Sequence, residues 1–236
     1  MIRYGIALAW TFLYSVFGHF VWIVHLFVPG GLSQWFFRNY GRGLFALCGI
    51  RLTVEGLEHI DRSRRYLITA NHNSLFDIPA LMATLPLDVK YFAKRELARV
   101  PVFGPMLVLY RHVLVNRESR RGAVQALEAA KKTLARWSLG IFPEGTRSLD
   151  GKVHQFKTGG LTLAAEAGVP VLPVAIEGTG RLLPKGALEV RSGTIHIKVF
   201  PPVPPEEARD RKQLAERLET TIRSFIETDT HGGSNV

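Results

Sequence analysis

The chain has 236 residues, of which 47% are hydrophobic and 21% are charged, a balance that excludes a chain disordered throughout and suits one folded domain with an appendage. Its 30 lysines and arginines against 20 acidic residues give a formal charge of +10, which favours anionic partners such as phosphates, acidic lipid headgroups or nucleic acid. The single cysteine, Cys48, excludes an intrachain disulfide and a zinc site built from cysteines.

The N-terminal segment, residues 1–50, is predicted to associate with a membrane. From Tyr4 to Val28 there is no Asp, Glu, Lys or Arg, and the run is long enough to cross a hydrocarbon core of ~30 Å. It is too long for a signal peptide, and an apolar surface on all sides disfavours a buried core helix. Pro29-Gly30-Gly31 breaks the helix, and the apolar stretch that follows carries Arg38 and Arg42. Both a spanning helix and a helical hairpin dipping into one leaflet stay open, and either leaves the rest of the chain in the cytoplasm.

After residue 50, β-rich runs alternate with helical patterns, which is typical of an α/β domain. We predict a single mixed β-sheet flanked by helices over residues 51–228, followed by a disordered tail, residues 229–236. The predicted strands are residues 51–55, 66–70, 89–93, 113–116, 139–142, 171–176 and 194–200. The predicted helices are residues 75–85, 120–137, 159–167 and 206–227, and the stretch from Lys94 to the fourth strand, which Pro101, Gly104 and Pro105 interrupt, is predicted to be a loop.

His72 and Asp77 directly follow a predicted strand, and strand ends in α/β sheets are where sites form. A neutral imidazole is available as a base at pH 7, and a carboxylate on its other nitrogen fixes the tautomer and stabilises the imidazolium. Two structural alternatives stay open. His72 can be an ordinary packed or surface histidine, and Ser74 and Asp77 fit a capping box at the start of a helix.

A second polar group, IFPEGTRS, follows the predicted strand at residues 139–142. Pro143 ends the strand and Gly145 permits a tight turn that presents Thr146 and Arg147 together. Arginine binds phosphate or carboxylate in a bidentate manner, and Glu144 is placed to orient Arg147 or to bond a substrate hydroxyl. The alternative is an ordinary turn with a surface ion pair.

Two further segments have weaker signals. Arg117 and its neighbouring arginines form a basic cluster that fits either a phosphate site or a solvated face. Pro173 lies inside a hydrophobic run, which predicts an edge strand or a bulge. The chain has no GxSxG, P-loop or HExxH motif, and Gly178-Thr179-Gly180 lacks the third glycine of a dinucleotide fingerprint.

NHNSLFD and FPEGTRS, in this order and each after a strand, resemble the motifs of the glycerophospholipid acyltransferases, the 1-acyl-sn-glycerol-3-phosphate acyltransferase (PlsC) family. The resemblance runs from about Leu52 to Pro202, and the apolar N-terminus is similar to that family's membrane anchor. It implies transfer of an acyl group from acyl-CoA or acyl-carrier protein to the sn-2 hydroxyl of lysophosphatidic acid, giving phosphatidic acid. The enzyme would lie at the inner cell membrane with its catalytic domain facing the cytoplasm.

The same resemblance assigns roles to individual residues. His72 would be the general base and Asp77 its orienting partner. The phosphate and glycerol of the acceptor would be bound by Lys94, Arg117, Glu144, Gly145, Thr146 and Arg147, and the acyl donor by Val171 and Pro173. No metal or cofactor is implied beyond the thioester co-substrate. The expected partners are the lyso-lipid, the acyl donor with its carrier protein where one is used, and membrane lipids, and no nucleic acid.

The chemistry agrees with this resemblance. An alcohol does not ionise at pH 7, so its proton must leave during attack, whereas an activated thioester needs no covalent enzyme intermediate. A backbone N–H after Ser74 is a candidate donor to the oxyanion. Arg111-His112 and Asn116 stand where the family usually has a glycine and an aspartate, which leaves open another acceptor, a lyso-ornithine lipid or a lysophospholipid. Lipid hydrolysis, and a non-catalytic protein that binds anionic lipid or nucleic acid, are the remaining alternatives.

Overall fold

A seven-stranded mixed β-sheet forms the centre of the computed structural model, which describes residues 1–25, 31–116 and 119–232. The strands lie in the order β1-β7-β6-β2-β5-β3-β4, and every neighbouring pair is parallel except β6 and β7. Their bounds are Ile50–Glu55 (β1), Leu67–Ala70 (β2), Val89–Lys94 (β3), Val113–Val115 (β4), Ser138–Ile141 (β5), Val171–Glu177 (β6) and Gly193–Val199 (β7). All seven predicted strands are present, so the predicted mixed α/β fold is confirmed.

Helices cover both faces of the sheet because its central strands are apolar on both sides. Every residue of β2, β5 and β6 is buried. Successive residues point to opposite faces. Ile68 therefore packs in the cluster that contains the helices Leu32–Leu47 (α2) and Asp77–Thr84 (α3), whereas Leu67 packs in the cluster of Arg120–Leu134 (α5), Thr162–Ala167 (α6) and Arg211–Gly232 (α8). The helices of the globular part are Leu32–Leu47 (α2), Asp77–Thr84 (α3), Phe103–Leu109 (α4), Arg120–Leu134 (α5), Thr162–Ala167 (α6), Thr179–Leu182 (α7) and Arg211–Gly232 (α8).

Two predictions were wrong in detail, one of a loop and one of the bounds of a helix. The predicted loop after Lys94 contains α4, in which Pro105 is the third residue. Proline is tolerated there because the N–H groups of the first turn have no partner inside the helix. The last helix, α8, begins later than predicted and reaches Gly232, within the stretch predicted as a disordered tail. Residues 233–236 of that tail lie outside the described residues.

The N-terminal helix, Ile2–His25 (α1), lies along α2 on the outside of the globular part. Its inner face contacts α2, since the Trp10 indole donates to the Tyr40 carbonyl at 3.0 Å and the rings of Tyr14 and Phe36 are 4.7 Å apart.

The outer face of α1 exposes large apolar side chains, among them Leu8, Phe12, Leu13 and Phe20. The stretch Ile2–Val24 is long and apolar enough to cross a membrane, and only 17% of it is buried, which excludes a core helix. The predicted helix break at Pro29 and Gly30 lies outside the described residues.

The prediction of an edge strand at Pro173 was wrong, whereas the predicted bulge agrees with the pairing. Val174 pairs with Val199 but Val171 pairs with Val203, so the chain leaving β7 has one residue more than β6 between these two pairs. β6 lies between β2 and β7, and Pro173 is in register with Thr69 of β2. The Pro173 carbonyl accepts from the N–H of Phe200, on the opposite side from β2. Because the N–H and C=O of one strand residue point the same way, the donor that proline lacks would face the chain leaving β7, where the bulge already interrupts the regular ladder.

Candidate active site

The candidate site lies at one edge of the sheet, where five parallel strands end. β2, β3, β4, β5 and β6 all run in the same direction, so their carboxyl ends meet at this edge. His72 follows β2, Glu144 to Arg147 follow β5 on one side of β2, and Thr179 follows β6 on its other side. The two motifs, distant in sequence, are therefore neighbours in space.

His72 and Asp77 form a direct pair. The distance from His72 Nδ1 to Asp77 Oδ2 is 2.7 Å, and the Asp77 side chain is fully buried while that of His72 is 19% exposed. The imidazole also stacks on the Phe142 ring, with centroids 4.1 Å apart. With Nδ1 facing a carboxylate, the proton resides on Nδ1, and the lone pair of Nε2 is free to accept a proton. His72 is thus neither a fully exposed surface histidine nor unpaired, and its role as a base stays a prediction.

Asp77 also organises the turn that carries His72. Its Oδ2 accepts hydrogen bonds from the N–H groups of Asn73, at 2.8 Å, and Ser74, at 2.9 Å. The bond from Ser74 is one half of the predicted capping box. The other half differs, because the Ser74 hydroxyl accepts from Phe76 and donates to the carbonyl of Leu183. Asp77 thus serves the helix start and the imidazole together, so the two sequence interpretations of this residue do not exclude each other.

Thr179 is a site residue that sequence reasoning missed. Its hydroxyl donates to Asp77 Oδ1 at 2.5 Å, and the residue is fully buried. The carboxylate is therefore bound through both oxygens, by His72 and two backbone N–H groups on one and by Thr179 on the other. The available signal was its place directly after the buried strand β6, at the strand end where the site forms.

Glu144 joins the two motif loops through the backbone. Its Oε1 accepts from the N–H of His72 at 2.7 Å, and its Oε2 accepts from the N–H of His154 at 3.2 Å. Burial raises the pKa of this carboxyl, and the two backbone donors oppose that shift. Among the described residues no ion pair joins Glu144 to Arg147, so the predicted orienting contact between them is not formed. Glu144 instead fixes the position of the His72 backbone.

The turn after β5 carries a group of cations. The Lys185 ammonium donates to the Thr146 hydroxyl at 3.3 Å and to the Arg147 carbonyl at 3.0 Å. Gly145 has a φ of +79°, and a Cβ there would lie 2.9 Å from the Lys157 Nζ. Within the described ranges no acidic side chain pairs with Arg147. Three cations, of which Lys157 and Lys185 were not predicted, thus lie beside one turn, a charge arrangement that suits a phosphate.

The structure places the other predicted site residues less centrally. Lys94 ends β3, two strands from β2, with its ammonium 3.8 Å from Glu96. Arg117 lies outside the described residues. Val171 and Pro173 are buried at the start of β6, at the end of that strand away from His72. Their assignment to the acyl donor stays a prediction.

The predicted oxyanion donor is constrained by the same contacts. The N–H groups of Asn73 and Ser74 bind Asp77, and the N–H of Phe76 binds the Ser74 hydroxyl. These three donors are thus committed within the chain. The N–H of Leu75, the first after Ser74, stays the predicted oxyanion donor.

Comparison with known proteins places the chain among the acyltransferases. The Acyltransferase family model matches residues 51–177. A 1-acyl-sn-glycerol-3-phosphate acyltransferase of Chlamydomonas reinhardtii is 32% identical over 206 residues, which cover 86% of this chain and 61% of that protein. The alpha form from Ovis aries is 32% identical over 196 residues, 80% of this chain and 68% of that protein. The chain thus spans less than two thirds of the length of the algal protein.

A solved structure agrees over nearly the whole chain. The crystal structure of the 1-acyl-sn-glycerophosphate acyltransferase PlsC from Thermotoga maritima matches with a TM-score of 0.79 and 30% identity, covering 97% of this chain and 98% of that one. At this coverage the match includes α1 and α2, which pack together as the N-terminal hairpin, as well as the sheet. The chain belongs to the acyltransferase family, as the resemblance of its two motifs predicted.

Proposed function

We propose that the protein transfers an acyl group from acyl-CoA or acyl-carrier protein to the sn-2 hydroxyl of 1-acyl-glycerol-3-phosphate, forming phosphatidic acid. The observation that carries this proposal is the 2.7 Å pair of His72 and buried Asp77 at an open sheet edge, beside a turn that holds Arg147. The named relatives and the PlsC structure support the acceptor by their own names.

His72 acts as the general base in this proposal. Nε2 accepts the proton of the sn-2 hydroxyl while the hydroxyl oxygen attacks the thioester carbonyl carbon. Asp77 stabilises the imidazolium that forms, and the stacked Phe142 ring keeps the imidazole plane fixed. When the tetrahedral intermediate collapses, the C–S bond breaks and the imidazolium returns its proton to the leaving thiolate. The products are the new ester and a free thiol, with His72 neutral again.

The cations after β5 account for the phosphate of the acceptor. The half-buried Arg147 and the ammonium groups of Lys157 and Lys185 surround the turn at Gly145. A guanidinium binds a phosphate through two parallel hydrogen bonds, so Arg147 orients the acceptor as well as attracting it. Lys94, at the end of β3, and Arg117 remain proposed phosphate ligands. With the phosphate held there, the sn-2 hydroxyl is presented to His72.

The hairpin brings the site to its lipid substrates. The outer face of α1 exposes Leu8, Phe12, Leu13 and Phe20, and its inner face is tied to α2, which packs on the globular part. We propose that α1 embeds in the cytoplasmic leaflet of the inner membrane with the catalytic domain on the cytoplasmic side. An acceptor then reaches the sheet edge without leaving the bilayer surface. Embedding in the membrane also accounts for the large apolar face that α1 exposes.

Product analysis tests the proposed function. The detergent-extracted protein is incubated with equal amounts of 1-acyl-glycerol-3-phosphate, lyso-ornithine lipid and lysophosphatidylcholine, together with acyl-CoA and acyl-carrier-protein donors, and the lipids are identified by mass spectrometry. We expect phosphatidic acid as the main product, and no product with His72→Ala. Diacyl product from another lyso-lipid alone would replace the acceptor, and free fatty acid without diacyl lipid would identify a hydrolase.

A further inference from the structure

A cleft of about 1270 Å³ opens at the end of the sheet opposite His72. Arg65, Leu87, Trp137 and Pro170, which precede β2, β3, β5 and β6, belong to its wall. The cleft also includes Trp22 of α1 and residues of the first turn of α2, so it is continuous with the hairpin. We call it the amino-edge cleft. The length of β6 separates it from the site edge by roughly 20 Å, so it is not part of the acceptor site.

The amino-edge cleft is strongly cationic. Asp88 is neutralised by the Lys90 ammonium at 2.6 Å, and Arg64 pairs with Asp61 at 3.3 Å. Over the described ranges, no acidic partner is found for Arg62, Arg111 or Arg136. The lining charges are Arg62, Arg64, Arg65, Lys90, Arg111 and Arg136 against Asp88 and Glu206.

The positive charge extends beyond the lining residues. The pKa of Arg38 is lowered by burial and by the neighbouring charges of Arg42 and Arg62. Repulsion among these guanidinium groups is therefore not relieved within this part of the protein. Cations held together without acidic partners are stabilised when an anion binds among them.

Arg111 is held in an unfavourable backbone conformation at this cleft. Its φ is +62°, in the left-handed region that glycine adopts freely and that is uncommon for other residues. The position follows the last turn of α4, where a glycine would complete the turn without strain. An arginine at this position instead adds an exposed cation to the cleft.

We propose that the amino-edge cleft binds the headgroup of an anionic membrane phospholipid, at a site separate from the acceptor site. The cleft adjoins the apolar helix α1, and Trp22, Tyr110 and Trp137 line it together with the arginines. Aromatic side chains beside guanidinium groups, next to an apolar surface, suit the layer of phosphates at the bilayer surface. The inference rests on the membrane placement of α1 in the proposed function, and on no residue of the candidate active site.

Titration with short-chain lipids tests this site. The purified full chain in neutral detergent is titrated with dioctanoyl phosphatidylglycerol, dioctanoyl phosphatidylcholine and inorganic phosphate, and binding is followed by tryptophan fluorescence because Trp22 and Trp137 line the cleft. We expect phosphatidylglycerol to bind far more tightly than the other two. One cation near a membrane surface contributes about fivefold in affinity. The variant R62Q/R111Q/R136Q should therefore bind phosphatidylglycerol about 100-fold more weakly.

Two controls separate binding from folding. The variant R191Q/R211Q/K212Q removes the same charge outside the cleft and should retain the affinity of the wild type. Arg111→Gly should weaken phosphatidylglycerol binding about fivefold while the melting temperature stays equal or rises, because glycine relieves the left-handed backbone. A fall in affinity that follows a loss of stability would contradict the proposal.

The remaining outcomes are equally decisive. Equal loss of affinity in the cleft and control variants, or equal binding of phosphatidylcholine, would overturn the site. Inorganic phosphate binding as tightly as phosphatidylglycerol would show a free-anion site and refute the lipid ligand. Acyl transfer is measured on each variant, and its absence in the wild type would refute the proposed function while leaving the lipid-binding result intact.

Discussion

The Thr179 hydroxyl donates to Asp77 Oδ1 at 2.5 Å while His72 Nδ1 lies 2.7 Å from Oδ2 of the same carboxylate. Asp77 and Thr179 are both fully buried. A buried carboxylate needs hydrogen-bond partners for both oxygens, and here the second partner comes from the start of α7, directly after β6, the strand that pairs with β2. The orientation of the imidazole thus depends on the packing of β6 against β2.

We expect Thr179→Val to lower kcat by about tenfold or more with little change in acceptor KM, because a hydrogen bond to a charged group is worth about 1.5–3 kcal/mol. Thr179→Ser keeps the hydroxyl and should restore most of kcat. Thr69→Val is the matched control. The buried Thr69 hydroxyl has no hydrogen-bond partner among the residues that the structure describes, so its removal should leave kcat unchanged. Steady-state kinetics of the three variants decide the matter, and equal loss in the serine variant would refute the role of the hydroxyl.

Arg147→Ala should raise the KM for the phosphorylated acceptor by roughly 10- to 100-fold, the range expected for a charge-assisted hydrogen bond. The measurement compares 1-acyl-glycerol-3-phosphate with monoacylglycerol, which lacks the phosphate and should show no such change. Arg191→Ala, at an exposed arginine outside the site, is the control for charge. An equal rise in KM for both acceptors would mean that Arg147 supports the turn and does not bind the phosphate.

Aspartate on the outer face of α1 should weaken membrane association. Leu13 and Phe20 are 63% and 62% exposed. Each aspartate placed in the hydrocarbon region costs roughly 3 kcal/mol of insertion free energy. The L13D/F20D protein should therefore leave the membrane pellet and be recovered in the supernatant or as aggregated protein free of membrane. Leu188 is an apolar residue outside the hairpin that is 56% exposed, and the Leu188→Asp protein should stay in the pellet. If both proteins fractionate alike, the membrane-facing role of α1 is wrong.

Acidification should destabilise the fold through His112. Burial, then the nearby Lys90 charge, lowers the pKa of His112 to about 3. Between the ordinary value of 6.5 and about 3 the unfolded chain binds the proton and the folded chain does not, so stability falls as pH falls. We expect a loss of about 2 kcal/mol between pH 6.5 and 4.5, less than the full linkage of the shift because part of the side chain reaches the surface.

The measurement is thermal unfolding in neutral detergent at the two pH values. His112→Asn retains an acceptor for the N–H of Tyr91, which now binds His112 Nδ1 at 3.1 Å, and should flatten the pH dependence. His59→Asn, at a more exposed histidine, should leave it unchanged. The same slope in the His112 variant would assign the acid sensitivity to other groups.

The strands and the His72–Asp77 pair were predictable from sequence because both depend on residues that are close together in the chain. Strands such as β6 are continuous apolar runs, and His72 and Asp77 lie within one motif. Thr179 was not predictable in the same way, since its partner lies 102 residues away and its glycine-flanked motif was tested only as a dinucleotide fingerprint. The edge strand predicted at Pro173 was wrong for a related reason, because the place of β6 between β2 and β7 depends on strand order and not on the local sequence.

The most direct test of the account is the turnover of His72→Ala with 1-acyl-glycerol-3-phosphate and an acyl thioester. Loss of the general base should lower kcat by at least ~10²-fold while the melting temperature stays near that of the wild type. His154→Ala, at an exposed histidine near the same turn, should keep its activity. A folded His72→Ala protein that forms phosphatidic acid at close to the wild-type rate would contradict the central claim.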